Sequence, residues 1–214
     1  MDWQLGLETV RRRLVGRYEE WRHRGLDRRY GIDTSCTKNP AADAGALLAA
    51  YHGYHYEPIQ LDVFKRIVRA LPISPARLTL IDFGCGKGRA LVLAAEHGFR
   101  RVVGIECDAS LFAVAQRNVQ AYRSARKCDI ELHLGNAVHY ELPGEDCLCF
   151  LYNPFDEVAM AETLARIAQS LQRNRRKLLV AYRNPRHGAL LAGAPFLRNL
   201  VRNRTFELYE GIDA

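Results

Sequence analysis

The sequence predicts an α/β protein whose core is a mostly parallel sheet. Short apolar runs alternate with amphipathic helical patterns between Leu78 and Tyr182, which is the order of elements in βαβ units. These runs show little polar alternation, as expected of strands that are buried on both faces. Hydrophobic residues make up 48% and charged residues 26% of the 214 residues, so a packed domain is expected and a chain disordered throughout is excluded.

Helical patterns precede the sheet. The first covers residues 1 to about 30, where an arginine-rich face lies opposite an apolar one. The apolar side chains are Trp3, Leu7, Val10, Leu14 and Tyr18. Turn-forming residues from Gly31 to Pro40 indicate a loop. Helices are then predicted for Ala41 to Tyr51 and, because Pro58 suits a first turn, for Ile59 to Leu71.

The sheet itself is predicted to contain five parallel strands joined by helices. The strands are Leu78 to Phe83, Arg101 to Ile105, Ile130 to Leu134, Cys147 to Tyr152 and Lys177 to Tyr182. The helices are Arg89 to His97, Ser110 to Tyr122 and Glu157 to Leu171. In the tail, Phe206 and Leu208 alternate with Glu207 and Tyr209, which predicts a terminal hairpin or antiparallel edge.

Several classes of protein are disfavoured by the same sequence. No apolar run approaches the roughly 18 uncharged residues of a membrane span, and Met1 to Arg13 lacks the apolar region of a secretory signal. The six cysteines include no CxxC pair, so reduced thiols in a cytoplasmic protein are expected. His52 and His55 have no matching cysteine or acidic pair, and no metal site is predicted.

The formal net charge of +7 is unevenly distributed. Eight arginines lie between Arg11 and Arg29, and ten lysines and arginines without any acidic residue lie between Thr163 and Phe206. Such basic faces can attract nucleic acid, acidic protein or anionic lipid. The alternative is a solvated surface that keeps the protein soluble, which is slightly favoured because no aromatic and basic RNA-binding motif accompanies the charge.

The strongest local signal is the glycine-rich segment Ile81-Asp82-Phe83-Gly84-Cys85-Gly86-Lys87-Gly88-Arg89, which follows a strand and opens a helix. It is not a phosphate-binding P-loop, because Gly88 follows Lys87 where serine or threonine is required. It departs from the dinucleotide fingerprint, because Arg89 stands at the third glycine position. Asp82 would repel a pyrophosphate but suits the cationic end of a ligand.

A second acidic residue, Glu106, lies at the end of the next strand, 20 residues beyond Gly86. A carboxylate at this place can accept hydrogen bonds from both hydroxyls of a ribose. Glycines before the helix let the backbone turn tightly and approach a ligand closely. The two acidic residues and the glycines therefore predict a site for a nucleoside with a cationic end.

With these motifs the chain resembles the class I S-adenosylmethionine-dependent methyltransferases over residues 57–214. The segment IDFGCGKG matches their first motif, and VVGIE followed by LFAVAQRN matches their second. The segments DFGCGKGR and YNPF are similar to an uncharacterised bacterial subgroup and, distantly, to the non-SET histone-lysine methyltransferases.

The resemblance implies a Rossmann-like seven-stranded sheet, mostly parallel, with helices on both faces and a C-terminal antiparallel hairpin. It implies a methyltransferase domain over residues 57–214, preceded by a helical extension or lid over residues 1–56. S-adenosylmethionine is the implied cofactor, and no metal is required. Residues implied to contact the cofactor are Asp82, Gly84, Cys85, Gly86, Glu106, Cys107, Asn136, Ala137 and Tyr56.

Two of these implied contacts have alternatives. Asn136 stands where many relatives carry aspartate that meets the adenine amino group, and an amide oxygen can make the same bond. The alternative for Asn136 is a residue that only closes a turn. Tyr56 is expected in a lid over the cofactor together with residues 27–34, or else it packs the N-terminal helices on the sheet.

The methyl acceptor is expected at the end of the fourth strand, at Tyr152-Asn153-Pro154-Phe155. The segment resembles a shortened NPPF motif of amino-group methyltransferases, with one proline missing. By that resemblance the Asn153 oxygen and the Pro154 carbonyl accept N–H bonds from the acceptor, and the Phe155 ring stacks on it. The alternative is a turn before a helix, with Phe155 packed in the core.

The function that the resemblance implies is methyl transfer to a nitrogen of a protein, an RNA or a small molecule. Tyr152, Tyr182 and His187 are candidate bases, each with a structural explanation as well. An NAD(P)-dependent oxidoreductase is disfavoured by Asp82 and Arg89. A non-catalytic cofactor-binding subunit that recruits a partner through its basic N-terminus stays open.

Overall fold

The computed structural model describes residues 24–35, 56–125 and 129–212, without the side chains of residues 124 and 125. The predicted helix over residues 1 to about 30 lies mostly outside the described residues, and residues 24–30 are helical. The predicted helix Ala41 to Tyr51 lies wholly outside them, as do His52, His55 and two of the six cysteines.

The central sheet has seven strands in the order β3-β2-β1-β4-β5-β7-β6. Its strands are β1 (Thr79–Phe83), β2 (Arg101–Glu106), β3 (Ile130–Leu134), β4 (Cys147–Tyr152), β5 (Leu178–Arg183), β6 (Leu197–Arg202) and β7 (Phe206–Gly211). Strands β1 to β5 pair in parallel, and β7 pairs antiparallel with both β5 and β6. The α/β class, the five parallel strands and the antiparallel hairpin are therefore confirmed.

Within the described ranges, five α-helices follow the N-terminal helical residues. They are α1 (Leu61–Ala70), α2 (Arg89–Glu96), α3 (Ala109–Ala125), α4 (Glu157–Arg173) and α5 (Gly188–Ala192). The three helices predicted between strands are confirmed, with bounds shifted by three residues or fewer. Helix α4 begins where Asp156 accepts a hydrogen bond from the Ala159 amide at 2.9 Å, an N-cap that ends the preceding loop.

Two apolar clusters lie on opposite faces of the sheet. On one face Ile67 of α1, Leu91 of α2 and Val119 of α3 join the same buried cluster. On the other face Met160 of α4 and Leu191 of α5 join a second one. Residues of β1 alternate between the two clusters, so the strand is buried throughout. This two-sided burial explains the continuous apolar runs in the sequence.

Gly104, in the middle of β2, lets α2 pack closely on the sheet. A Cβ there would lie 2.6 Å from Leu91 Cδ1 and 2.9 Å from Cys85 Sγ. A side chain at this place would force the side chains of Leu91 and Cys85 to move. The glycine-rich segment and α2 can thus lie close to β2 because residue 104 is a glycine.

Residues 24–35, called here the N-terminal segment, pack on the same face as α1 to α3. Leu26, Tyr30 and Ile32 are buried in that face's cluster. The Tyr30 hydroxyl donates to Glu96 at 2.8 Å, and its ring makes an edge contact with Tyr122 at 4.8 Å. The described part of the predicted extension is thus joined to the sheet, while the boundary at residue 56 stays a prediction.

Among the described residues, no helix is long and apolar enough to span a membrane.

Candidate functional site

A cavity of about 440 Å³ opens at the carboxyl ends of β1, β2 and β4. It lies where the strand order reverses, since β1 pairs with β2 on one side and β4 on the other. Crevices at such a switch point are the usual ligand sites of open α/β sheets. Predicted site residues that line it are Tyr56, Asp82, Gly84, Cys85, Gly86, Glu106, Cys107, Tyr152, Asn153 and Pro154.

The glycine-rich segment forms the floor of this cavity. The amides of Gly84 and Cys85 both donate to the Ile105 carbonyl at 2.9 Å, so the turn is tied to β2. Gly84 has a φ of +85°, and a Cβ there would lie 3.2 Å from Pro154 Cβ. Glycine therefore allows a left-handed backbone and a close approach to the β4 loop.

Glu106 connects this turn to the end of β2. One of its carboxylate oxygens accepts from the Gly86 amide at 2.7 Å, and the other accepts from the Asp108 amide at 2.9 Å. Burial raises the pKa of Glu106, and the amide donors oppose that rise. The Cys107 backbone is a further donor to this carboxylate, which can accept about four hydrogen bonds in all, so acceptor capacity is left for a ligand hydroxyl.

Asp82 is buried at the same end of β1. Burial, and secondarily the charge of Glu106, raises the pKa of Asp82 from 3.8 to about 8. Two desolvated carboxyl groups that share one cavity strongly favour a cationic ligand, because a bound cation offsets their mutual repulsion. The folded protein thus holds two buried carboxyl groups, which a bound cation would favour in their ionised form, where the sequence predicts the cationic end of a ligand.

The raised pKa gives a proton-linkage prediction. At pH 7 Asp82 is mostly protonated in the free protein, and a bound ammonium group lowers its pKa, so binding should release up to about one proton. Calorimetric titration with S-adenosylhomocysteine in buffers of different ionisation enthalpy measures this number. We expect a clear release at pH 7 and little at pH 9, where Asp82 is already ionised.

Asp82→Asn is the control, because it keeps the shape and cannot lose the proton. Equal proton release in both proteins would contradict the assignment.

The raised pKa of Asp82 also affects the stability of the protein. Because the folded pKa lies above the unfolded value, this carboxyl lowers the free energy of unfolding as the pH rises from 3.8 to about 8. The variant should therefore melt higher than the parent at pH 9 and equally at pH 4.

Tyr56 lies directly over the glycine-rich segment. A Cβ on Gly86 would lie 2.3 Å from the Tyr56 ring, which shows that the ring occupies the space a side chain would need. The Tyr56 hydroxyl donates to the Thr34 carbonyl at 2.8 Å. Tyr56 is thus held between the N-terminal segment and the cavity, as expected of a lid residue, while its contact with a cofactor stays a prediction.

This close approach predicts a selective effect of Gly86→Ala. The new methyl group would displace the Tyr56 ring, and the left-handed φ of +55° would be strained. We expect a loss of about 1–3 kcal/mol in the free energy of unfolding and a weaker affinity for S-adenosylhomocysteine. Denaturant titration and calorimetry measure the two effects.

Gly98→Ala is the matched control, since Gly98 has a φ of +75° with open space around its Cβ. It should show the strain without the loss of affinity. Equal affinities of the two variants would contradict the proposed role of the Tyr56 contact.

Asn153 directly follows β4 and has a left-handed backbone and a side-chain oxygen without a partner among the described residues. Its φ is +46°, in the left-handed region that asparagine tolerates better than most residues. The side chain is buried, with a relative exposure of 8% for the residue, and Oδ1 has no hydrogen-bond partner among the described residues. A buried acceptor without a partner is costly, so this oxygen is a strong candidate for a ligand contact.

The neighbours of Asn153 divide between cavity and core. Tyr152 and Pro154 line the cavity, and the Arg183 guanidinium lies 5.2 Å from the centre of the Tyr152 ring. Phe155 is buried in the core and makes an edge contact with Phe83 at 6.3 Å. It is absent from the described lining of the cavity, so its position matches the packing alternative, and stacking on an acceptor stays a prediction.

The end of β3 likewise matches the turn alternative. Asn136 Oδ1 accepts from the Val138 amide at 3.0 Å and starts a short 3₁₀ helix, Ala137–His139. Ala137 is buried in the second core cluster. Neither Asn136 nor Ala137 is among the described residues that line the cavity. Their contact with an adenine ring stays a prediction.

The two cavity cysteines are free thiols. Burial, together with Glu106, raises the pKa of Cys107 to about 11, and burial raises the pKa of Cys85 well above its usual value. Both thiols are thus protonated near neutral pH. Within the described ranges no group of three or more histidine, cysteine and acidic side chains could hold a metal ion.

Sequence reasoning missed the role of the basic residues inside the glycine-rich segment. Lys87 Nζ donates to both carboxylate oxygens of Asp33, at 3.0 and 3.2 Å, and to the Ser35 carbonyl at 2.9 Å. Arg89 Nε donates to Thr34 Oγ1 at 2.8 Å, and Asp27 lies 3.8 Å from Arg89 Nη2. These bonds join the N-terminal segment to the segment that forms the cavity floor.

Asn118 of α3 completes the junction. Its amide nitrogen donates to the carbonyls of Asp33 and Lys87 at 2.7 and 2.8 Å, while its oxygen accepts from the Asp33 amide at 2.8 Å. The signal in the sequence was the combination of Lys87 and Arg89 with an upstream Asp27 and Asp33. Opposite charges about 55–60 residues apart cannot be paired from spacing alone, because only the fold brings them together.

The donors and acceptors of the cavity fit S-adenosylmethionine. Asp82 suits a cationic end, and Glu106 suits a ribose diol. Gly84 and Gly86 form a cradle that a Cβ would fill. Asn153 Oδ1 is an orphaned acceptor beside that cradle. The residue types and their burial therefore agree with a sulfonium nucleoside on the glycine-rich side and an N–H donor on the β4 side.

Comparisons with known proteins agree with this fit. Residues 80–174 match the model of a family described as a methyltransferase domain. Among curated proteins, no sequence is significantly similar to this chain. A structure of an RNA methyltransferase from Salinibacter ruber in complex with S-adenosylhomocysteine is similar, with 22% identity over 72% of this chain and 92% of that chain and a TM-score of 0.50.

Two further structures share the fold. A methyltransferase from Geobacter sulfurreducens has 17% identity over 74% of this chain and 80% of that chain, with a TM-score of 0.53. A protein from Listeria monocytogenes, described as a predicted N6-adenine-specific DNA methylase, has 14% identity over 73% of this chain and 52% of that chain, with a TM-score of 0.54. At such identities the likeness shows a common fold and leaves the substrate open.

Proposed function

We propose that this chain, which carries a class I S-adenosylmethionine-dependent methyltransferase domain, transfers the methyl group to a nitrogen atom of its acceptor. The observation that carries the proposal is Asn153 Oδ1, a buried oxygen without a partner among the described residues, in a residue that lines the cavity next to Pro154, whose Cβ approaches Gly84. An amide oxygen accepts hydrogen bonds and cannot donate them, so the acceptor must carry hydrogen on the reacting atom. The resemblance of this segment to the NPPF motif of amino-group methyltransferases favours nitrogen as that atom.

The cofactor would be held by residues from three strand ends. Asp82 would face the cationic methionine end, and Glu106 would accept from the ribose hydroxyls. The glycine-rich segment would let the backbone approach between them. When bound, S-adenosylmethionine supplies an electrophilic methyl group on its sulfonium.

The chain's own contribution to the reaction is mainly positioning. Asn153 Oδ1 would accept one N–H of the acceptor and so aim the nitrogen lone pair, which is worth several orders of magnitude when alignment is good. Pro154 limits the backbone freedom beside it and contacts the space above Gly84. Tyr56, over Gly86, narrows the access of water to the cavity, which strengthens the electrostatic interactions inside.

The acceptor is proposed to be a nitrogen in a protein, an RNA or a small molecule. One similar structure is described as an RNA methyltransferase and another as a DNA methylase, which makes a base nitrogen a reasonable first candidate. The basic segment from Thr163 to Phe206 gives limited support to a nucleic-acid acceptor. In the described tail, Arg198 pairs with Glu210, and Arg202 pairs with Glu207 at 3.1 Å, so part of that charge is neutralised.

Labelled-methyl transfer tests the proposal. The protein is incubated with S-adenosylmethionine carrying a labelled methyl group and with separate pools of RNA, peptides and small amines. Products are then hydrolysed, and the labelled atom is identified by mass spectrometry. We expect the label on nitrogen in one pool. Label found on oxygen, sulfur or carbon only would contradict the assignment of Asn153, although the chain would still be a methyltransferase.

The two alternatives give different results. A non-catalytic subunit would bind the cofactor and label no pool unless a partner protein is added. An NAD(P)-dependent oxidoreductase stays disfavoured, because Arg89 stands at the third glycine position of the dinucleotide fingerprint.

A further inference from the structure

Two asparagine-proline turns lie next to each other at the cavity. Asn153 and Asn184 each follow directly on a strand, each precede a proline, and both line the cavity. Their strands β4 and β5 are parallel neighbours that pair as far as Tyr152 and Arg183, so the two asparagines occupy the same register position. The sheet thus presents two side-chain amides at adjacent strand ends.

The backbone of the two asparagines is unusual in the same way. Among the described residues other than glycine, these two have a positive φ and no others do, with +46° at Asn153 and +52° at Asn184. A residue before proline normally has an extended backbone with a negative φ. Strained conformations of this kind cluster at ligand-binding and active sites. A matched pair in one cavity therefore indicates a shared function.

The second turn has a fixed backbone and an available side chain. The Asn184 amide donates to the Thr205 carbonyl at 3.0 Å, and the Asn184 carbonyl accepts from the Arg186 amide at 2.8 Å. Within the described ranges, the side chain of Asn184 makes no hydrogen bond to another residue. A side-chain amide has one acceptor oxygen and two N–H donors. The cavity therefore holds this half-buried amide with its hydrogen-bonding groups left for a ligand.

Arg183 connects the two turns. Its guanidinium lies 5.2 Å from the centre of the Tyr152 ring, which directly precedes Asn153. Its Nη1 donates to the Thr205 carbonyl at 2.9 Å, and the same carbonyl accepts from the Asn184 amide. The relative position of the two turns is thus set by strand pairing and by one shared side chain.

The spacing of the turns suits a single amino group. Neighbouring strands lie about 4.8 Å apart. Two oxygens that each accept a hydrogen of one NH₂ group at about 2.9 Å also lie about 5 Å apart, because the two N–H bonds diverge at a wide angle. A nitrogen with one hydrogen would leave one of the two oxygens without a partner, which is costly in a site that excludes water.

We infer that Asn184 is a second residue that holds the acceptor, and that its Oδ1 accepts one N–H of a primary amino group whose other N–H is accepted by Asn153 Oδ1. The inference rests on the proposed function and narrows the acceptor to a primary amino group. Held at both hydrogens, the nitrogen keeps its lone pair for the methyl group. The lone pair forms the new N–C bond, the sulfonium sulfur keeps the electrons of the broken S–C bond, and one N–H proton passes to water.

The number of methyl groups on the product tests the inference with the parent protein alone. The acceptor pool that becomes labelled is incubated with excess S-adenosylmethionine, and mass spectrometry counts the methyl groups on each labelled nitrogen. We expect a primary amino group that receives one methyl group, because the product has a single hydrogen and leaves one asparagine without its bond. Dimethylated nitrogen in comparable amount, or label on a nitrogen that began with one hydrogen, overturns the inference and leaves the proposed function intact.

Asn184→Gly tests the residue itself, because glycine adopts a positive φ freely and removes only the side chain. We expect turnover to fall about 10- to 100-fold, with an affinity for S-adenosylhomocysteine within about threefold of the parent value. The variant should also accept the isolated monomethyl product. The rate of the second methylation relative to the first should rise at least about tenfold, because the oxygen that required a second hydrogen is gone.

Asn199→Ala is the matched control. Asn199 is an exposed asparagine of β6 whose side-chain amide donates to the Val201 carbonyl at 3.3 Å, and it is not among the described residues that line the cavity. This variant should keep the turnover and the single methylation of the parent protein.

Two results with Asn184→Gly overturn the inference. Unchanged turnover would show that Asn184 does not hold the acceptor and would leave the second N–H to the Pro154 carbonyl. Lower turnover with an unchanged ratio of second to first methylation would show that Asn184 only supports the turn. A labelling experiment that places no methyl group on nitrogen would instead reject the proposed function itself.

Discussion

Glu106→Ala is expected to weaken the binding of S-adenosylhomocysteine by more than about 100-fold. The carboxylate is the proposed acceptor for two ribose hydroxyls, and it also orders the Gly86 and Asp108 amides. Alanine removes both functions at once, so the ligand loses its partners and the cradle loses its fixed shape. Calorimetric titration of the purified variant measures the change.

The variant should still fold. Glu106 is one of the two causes that raise the pKa of Asp82, so its removal relieves a repulsion that offsets the lost backbone hydrogen bonds. We therefore expect a melting temperature within a few degrees of the parent. Glu131→Ala is the control, because Glu131 pairs with Arg101 at a half-exposed position on β3 and such pairs contribute little. Affinity retained by Glu106→Ala would contradict the ribose assignment.

Asn153→Ala is expected to leave cofactor affinity nearly unchanged and to lower the turnover number about 100-fold or more. The reason is the place of Oδ1, which belongs to a residue that lines the cavity at the proposed acceptor site and has no partner among described protein groups. Removing one positioned polar contact that aligns the reacting atom costs this much in other enzymes. Rates are measured with the acceptor pool that the labelling experiment identifies.

Backbone strain has to be separated from loss of the oxygen in this variant. Asn153 has a φ of +46°, which alanine adopts at some cost and glycine adopts freely. Asn153→Gly is therefore the strain control, and it should lose turnover to the same extent. If the glycine variant turns over like the parent, the oxygen takes no part in the reaction, and the proposal of an N–H contact fails.

Much of the fold could be predicted because the sheet is buried on both faces. The strand Cys147–Tyr152 is a continuous apolar run, as expected of a strand with both faces buried. Its predicted bounds are the observed ones. The position of β7 between β5 and β6 could not be predicted as simply. Alternation indicates an antiparallel strand, but the choice of neighbour depends on packing across the whole edge.

The site was predictable where chemistry and backbone geometry coincide. Asp82, the glycines and Glu106 sit at strand ends that a parallel sheet brings together, and they do line one cavity. Phe155 and Asn136 were expected to face ligands by resemblance, and the described structure places one in the core and the other in a turn. An aromatic ring or an amide can satisfy either environment, so residue type alone cannot decide.

Arg89 shows the opposite case. In the sequence it counted against a dinucleotide site, because it stands where a third glycine was required, and it ended the DFGCGKGR segment that resembles a bacterial methyltransferase subgroup. In the structure it is a buried cation that contacts the N-terminal segment from the cavity floor. Its partners Asp27 and Thr34 lie far along the chain, and no periodic pattern joins them to the glycine-rich segment. Long-range pairing of this kind is visible only once the fold is known.

The central claim is that the cavity binds the S-adenosyl cofactor. Calorimetric titration of the parent protein with S-adenosylhomocysteine, and in parallel with NADH, tests it most directly. The account predicts one binding site for S-adenosylhomocysteine with a dissociation constant on the order of micromolar and no binding of NADH. Binding of NADH instead, or no binding of S-adenosylhomocysteine by protein that melts cooperatively, would contradict it.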